Sequence, residues 1–352
     1  MTSSNKILIV NNLKKYYPVK RSFYEIITFR KGKYVRAVDN ICFSVNDGEV
    51  YCLVGESGCG KTTTGRLVAK LIEPTSGNIK YRPRDDLLKL SYNAVTPEGF
   101  VEYSKLPRNY EKLFRREVQI IFQDPYGSLD PRQTIFSTLE EPLLVHKIGN
   151  SSKEREELIF KILEEVKLTP PEEFINRYPH MLSGGQRQRV NIARALILKP
   201  KLVVADEPVS MLDVSVRAEI LQLMMDLKVN RNLTYIFITH DLAVAGYICD
   251  RVAVMYLGKI VEEALTTELV NDPLHPYTEA LISAVPEPNP SNRFRFKDLP
   301  IYGEVPSAIQ VPKGCRFHPR CPYVMDICRS EEPQLTEIRS GHSVACWLYA
   351  NK

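Results

Sequence analysis

Gly55-Glu56-Ser57-Gly58-Cys59-Gly60-Lys61-Thr62 has the G-x-x-x-x-G-K-[ST] spacing of a phosphate-binding loop, set between an apolar run and a helix-forming stretch. Its glycines let successive backbone N–H groups turn inward around an anion, and the following helix adds the positive end of its dipole. Gly55, Ser57, Gly58, Cys59, Gly60 and Thr63 then form the cradle, Lys61 reaches the terminal phosphates, and the Thr62 hydroxyl ligates Mg²⁺. The expectation is a nucleoside triphosphate site. Cys59 reads two ways: as a small residue the loop tolerates, or as a thiolate favoured by Lys61 and the helix N-terminus.

A second group of reactive side chains follows apolar runs. Leu202–Ala205 ends in Asp206 and Glu207, the first suited to an outer Mg²⁺ contact, the second to polarising a water against the γ-phosphate. His240 follows another apolar run, Tyr235–Thr239, within reach of the same phosphate; alone it would more often be a satisfied loop histidine. Ser183-Gly184-Gly185-Gln186 opens a helical stretch with the S-x-x-Q spacing of a capping box, and its glycines leave the helix end open to an approaching phosphate.

The elements that must hold these groups alternate. Residues 37–54 read as paired strands turning at Asp47-Gly48, with Val50–Val54 a buried strand entering the glycine loop. A helix follows the loop, residues 80–117 read as an inserted, partly irregular segment, and a strand spans Val118–Phe122. A mainly helical region then runs to about residue 198, before strands at Leu202–Ala205 and Tyr235–Thr239. Strand–loop–helix alternation predicts an α/β parallel sheet with its polar residues at carboxyl strand ends, where such sheets bind ligands. Prolines multiply from about residue 265 (Pro273, Pro276, Pro286, Pro288, Pro290), marking a boundary.

With 352 residues, 44% hydrophobic and 25% charged, the composition is that of a soluble protein of more than one unit. No uncharged run exceeds the twelve residues of Ser340–Asn351, short of the roughly 20 a spanning helix needs, and the start lacks a secretory signal pattern. A cytosolic location is expected. The net charge of +5 is uneven: residues 1–36 carry nine Lys or Arg against Glu25 alone, leaving the remainder slightly acidic, so no nucleic-acid partner is expected. The basic arm reads as a solvated segment, with attraction to an anionic membrane face or acidic partner as the alternative. Cys42, Cys52, Cys59 and Cys249 lie in apolar surroundings and are expected to behave as small hydrophobes.

Leu182-Ser183-Gly184-Gly185-Gln186 resembles the signature motif of ABC ATPases, and the rest of that motif set is present. Gln123 in FQDP resembles the Q-loop glutamine that also meets the metal, Ser210–Asp213 the D-loop with Met211 in place of the usual small residue, His240 the switch histidine, and Tyr17 the aromatic that stacks on adenine. Asp124–Arg132, His275-Pro276-Tyr277-Thr278, Gly303–Ser307 and GCRFHPRCP together resemble the ATP-binding subunits of dipeptide/oligopeptide importers. The resemblance implies an α/β P-loop ABC ATPase: a RecA-like parallel-sheet core with antiparallel β and helical subdomains and a small C-terminal Cys-rich extension. It implies a nucleotide-binding domain over residues 1–264, its helical subdomain at about 125–198, and an extension over 265–352. It further implies ATP and Mg²⁺ sandwiched head-to-tail with a second homologous subunit, Lys61 on one side and the partner's signature motif on the other. The assembly would be a heterodimer on the cytoplasmic face of the membrane, with two permeases and an external solute-binding protein. Nickel chelates and oligosaccharides are alternative cargoes; a soluble, non-transport ABC ATPase is the rival reading.

Cys315, Cys321, Cys328 and Cys346 stand in C-x5-C-x6-C-x17-C spacing, among prolines and with little apolar sequence. Four thiolates are the usual complement of structural zinc or a [4Fe–4S] cluster, and a small module of this kind generally needs such a staple. C-x2-C pairs typical of zinc are missing, and the family resemblance favours the iron–sulfur cluster, with Zn²⁺ the alternative.

Overall fold

The computed structural model describes residues 5–19, 32–84, 95–285, 301 and 303–349. Much of the basic arm, the tract at 85–94 and the prolines at 286, 288 and 290 lie outside them.

An eight-stranded sheet is the frame. Its order is β11(Thr336–Arg339), β12(His342–Val344), β10(Lys259–Leu265), β9(Arg251–Tyr256), β3(Val50–Val54), β8(Thr234–Thr239), β7(Leu202–Asp206), β6(Val118–Ile121). The run from β9 to β6 is parallel, and β10, β12 and β11 add antiparallel strands at one edge. Strands β3, β7 and β8 are buried along their whole length, as a parallel sheet covered on both faces requires. Alternate residues go to opposite cores. Cys52, Val203, Phe237 and Val254 face one apolar cluster, whereas Tyr51, Leu53, Val204, Ile236 and Met255 face the other.

Against the second cluster lies a four-stranded antiparallel sheet in the order β2(Tyr34–Asn46), β1(Lys6–Pro18), β4(Ser76–Tyr81), β5(Val101–Glu102). Asp47-Gly48 is a turn, but the strands it joins are not partners: β2 pairs β1, and β3 belongs to the other sheet. The chain changes sheets there, with Gly48 at φ 75°. The described parts of the 80–117 segment, 80–84 and 95–117, also hold more regular structure than the sequence implies. Beyond β5 come two short 3₁₀ turns and helix α2(Glu111–Glu117), closed by edge-on contacts of Phe114 with Tyr81 and Tyr103.

Helix α1(Lys61–Val68) follows β3 through the glycine loop. The first cluster is covered by α3(Ile135–His146), α4(Ser152–Glu165), the short α5(Glu172–Ile175), α6(Gly184–Leu196) and α7(Val214–Arg231). Helix α8(Leu242–Ile248) follows β8, and α9(Thr266–Asn271), α10(Pro276–Ser283) and α11(Asp326–Ser330) complete the chain. Among the described residues no helix is long and apolar enough to cross a membrane.

Candidate functional site

The strand–loop–helix context of the glycine loop is realised: β3 ends at Val54, the loop turns, and α1 begins at Lys61. Gly60 adopts φ 111°, and a Cβ there would lie 2.1 Å from the Ala37 carbonyl oxygen, so loop and β2 approach too closely for any side chain. Lys61 is buried, its Nζ donating to the carbonyls of Gly55 at 2.6 Å and Glu56 at 3.0 Å.

The carboxyl ends of β7 and β8 face this loop. The Thr62 hydroxyl donates to Asp206 Oδ1 at 2.9 Å, and burial pushes the Asp206 carboxyl up from its ordinary range. A buried carboxylate beside a hydroxyl is an all-oxygen donor pair of the kind a hard divalent cation takes. Glu207, held at φ 46°, accepts from Gln123 Nε2 at 3.1 Å, and His240 Nδ1 lies 3.1 Å from the same oxygen.

A cleft of about 570 Å³ is lined by Ser57, Gly58, Gly60, Lys61, Thr62, Thr63, Gln123, Glu207 and His240. Thus residues from four separate stretches of sequence converge on one volume. Val35 lines the cleft; Tyr17, its cross-strand partner on β1, does not itself line it. The signature stretch lies outside the cleft. Ser183 and Gln186 form the anticipated capping box at the start of α6, with Ser183 N–H donating to Gln186 Oε1 at 3.0 Å and Gln186 N–H to Ser183 Oγ at 3.3 Å. Gly184 and Gly185 sit against Leu212 and Val216, so this helix start adjoins exposed Asp213 at the N-cap of α7.

Cysteine readings need correction. Cys59 is 4% exposed, and burial outweighs the nearby Lys61, raising its thiol above the ordinary range. The thiolate expectation therefore fails. Cys42 is exposed rather than buried, whereas Cys52 is buried in the apolar core and Cys249 packs against it, as expected of small hydrophobes.

Residues not singled out for the nucleotide site also reach it. Leu281 on α10 lines the cleft, Tyr277 Oη accepts from Glu56 N–H at 2.8 Å, and Arg320 makes two bonds to the Glu56 carboxylate. Tyr277 and Arg320 belong to the HPYT and FHPRCP runs, which the sequence marks as conspicuous without indicating where they dock.

Residues 38–210 match the ABC transporter family, and residues 261–328 match the oligopeptide/dipeptide transporter C-terminal region. The chain is 43% identical over 352 residues to the oligopeptide transport ATP-binding protein AppF of Bacillus subtilis (strain 168), covering 99% of this chain and 100% of that protein. It is 46% identical over 335 residues to the dipeptide transport ATP-binding protein DppF of Haemophilus influenzae, covering 95% of this chain and 94% of that one. Among solved structures it resembles the dimeric post-hydrolysis state of the ATP-binding cassette MJ0796 bound to ADP and Pi. The TM-score is 0.59 and the identity 27%, covering 74% of this chain and 99% of the other. An ABC cassette joined to this C-terminal region, over nearly the full length of such relatives, makes the chain a member of the ATP-binding subunits of oligopeptide/dipeptide ABC transporters, ATPases coupled to transport.

Proposed function

We propose that the chain hydrolyses ATP to power import of dipeptides or oligopeptides, from the cytoplasmic face of the membrane. The match of residues 261–328 to the oligopeptide/dipeptide transporter region is the observation that supports this cargo over nickel chelates or oligosaccharides.

In this reading Lys61 and the Gly55–Thr63 backbone bind the phosphates, with Tyr17 stacking on the base. Thr62, Asp206 and Gln123 hold Mg²⁺, which when bound neutralises charge developing on the phosphates. Glu207 polarises the attacking water, and His240 and Gln123 orient its carboxylate through the 3.1 Å contacts they already make. Ser183–Gln186 and Asp213 lie outside their own cleft, beside Met211 and an 81%-exposed Val214, and serve the cleft of a second, homologous subunit. A neighbouring groove of about 810 Å³, with Gln123 in its wall, receives one of two permeases, through which an external solute-binding protein is engaged. Residues 1–264 act as the nucleotide-binding domain, with the helical subdomain at about 125–198, and 265–352 as the appended extension.

The cysteines belong to the proposal through their donor chemistry. Among the described residues no group of three or more His, Cys, Asp or Glu is placed to hold a metal ion, so the geometry does not itself carry a cluster. The supporting observation is proximity: burial first, and then the charge of the neighbouring cysteines, hold Cys315 up at about 11 and Cys346 up at about 12. In this reading the four cysteines lie within one another's electrostatic reach and would supply thiolates to a [4Fe–4S] cluster, or alternatively Zn²⁺, as a structural staple. Iron, sulfide and zinc analysis after anaerobic purification tests this; a protein without metal, unaffected by Cys321→Ser, removes the assignment.

Reconstitution tests the function. The chain should co-purify with integral permeases, and peptide-loaded binding protein should stimulate ATP hydrolysis in liposomes. Co-purification with ribosomes or DNA instead would support a non-transport ATPase, and stimulation only by a nickel chelate or oligosaccharide would change the cargo.

A further inference from the structure

Glu56 sits in the phosphate-binding loop and lines the cleft, where an unpaired carboxylate would repel a phosphate. Its charge is met from 264 residues away. Arg320 Nη1 and Nη2 donate to the two Glu56 oxygens at 2.8 and 3.1 Å, a fork matching both ends of the carboxylate. Arg320 is 5% exposed and lies over the Tyr256 ring, while the Glu56 side chain keeps 28% exposure on the cleft side. The Glu56 backbone is held independently, its N–H donating to Tyr277 Oη and its carbonyl accepting from Lys61 Nζ. The Lys61 bond must be released for that side chain to reach a phosphate. The contacts from Tyr277 and Arg320 do not depend on Lys61.

We infer that Arg320 is a positioning residue for nucleotide binding: by neutralising Glu56 and holding its carboxylate away from the phosphates, it lets an anion enter the loop. This rests on the nucleotide-site reading above and adds to it a role for the cysteine-rich extension. Arg316, four residues earlier, makes the parallel contact to Asp39 on β2, whose carboxylate also takes the Tyr16 hydroxyl beside Tyr17. The same extension therefore also contacts β2, the strand whose Val35 and Ala37 line the cleft.

The test is direct binding of MgATP and of uncharged adenosine to the purified full-length chain, with thermal melting recorded in parallel. Arg320→Ala should weaken ATP binding by about tenfold and leave adenosine unchanged, because an unpaired carboxylate repels the triphosphate but not the nucleoside. Arg320→Lys should recover part of the loss. Arg320→Ala combined with Glu56→Gln should return to within about twofold of the parent, since the offending charge is gone. ATP affinity unchanged in Arg320→Ala, or no recovery in the double variant, overturns the inference. Should Arg320→Ala not fold, Glu56→Gln decides: ATP binding equal to or tighter than the parent supports the charge argument, and a tenfold loss defeats it. Failure of the parent chain to bind ATP would refute the nucleotide site itself, an outcome distinct from all of these.

Discussion

His240 Nδ1 lies 3.1 Å from Glu207 Oε2, linking the loop after β8 to the loop after β7. Glu207 N–H also donates to the Ile238 carbonyl at 2.9 Å, so the acidic residue is tied to the neighbouring strand by backbone as well as side chain. A carboxylate held in this way keeps its position without nucleotide, and little reorganisation is left for the reacting state.

If Glu207 polarises the attacking water as proposed, Glu207→Gln should retain ATP affinity and lose hydrolysis by on the order of 10²–10³, because the charge goes and the cradle stays intact. Lys61→Ala should instead weaken binding itself. Steady-state hydrolysis beside equilibrium binding separates the two; near-parental turnover in Glu207→Gln would disprove the assignment.

Gln123 lines both the nucleotide cleft and the adjoining groove, the position from which nucleotide occupancy can be sensed outside the cleft. Gln123→Ala should depress substrate-stimulated hydrolysis by about tenfold and leave nucleotide affinity within about twofold. Equal losses of both, measured in reconstituted liposomes, would mean the residue only supports the core.

Cys59 should be a slow thiol despite its place in the loop. Alkylation followed by peptide mass spectrometry should label exposed Cys42 at least about tenfold faster than Cys59, whose burial opposes both access and ionisation. Comparable rates would show that the loop opens without nucleotide.

Acid should weaken the fold through His275. Its Nδ1 accepts from the Tyr277 N–H at 3.0 Å, and complete burial holds the imidazole down at about 4 against an ordinary 6.5, with nearby Glu262 acting the other way. The unfolded chain then binds a proton more readily than the folded one. The contribution is present in full above pH 6.5 and is lost as pH falls toward 4, by about 3 kcal/mol from this group. His275→Asn keeps a capping acceptor and does not titrate, so its melting temperature should vary less over that window. An identical pH slope in parent and variant would rule the explanation out.

The convergence of the loop, Glu207 and His240 on one cleft was readable because its information is local. Val50–Val54, the glycines and Lys61-Thr62 are consecutive, and apolar runs that end in acids announce strand termini. Strand partnership is different: β2 and β3 flank a turn that looks like a hairpin, yet the choice of neighbour depends on which apolar cluster each strand can enter. The packing of Tyr81, Tyr103 and Phe114 has no period to detect, because each comes from a separate short element. Arg320 and Glu56 carried no mutual signal across a sequence separation of 264. Chemistry compressed into a motif can be seen in one dimension; a contact assembled from opposite ends of the chain cannot.

Strand β12 runs alongside β10, with Val344 opposite Glu262 and the Ala345 N–H donating to Val261 O at 2.8 Å. A cassette cut after residue 265 would thus present an unfinished row of backbone donors and acceptors along β10, the kind of raw border that recruits stray strands. The tail behaves as a selvedge woven into the sheet, and a lineage shedding it would have to hem that border by other means.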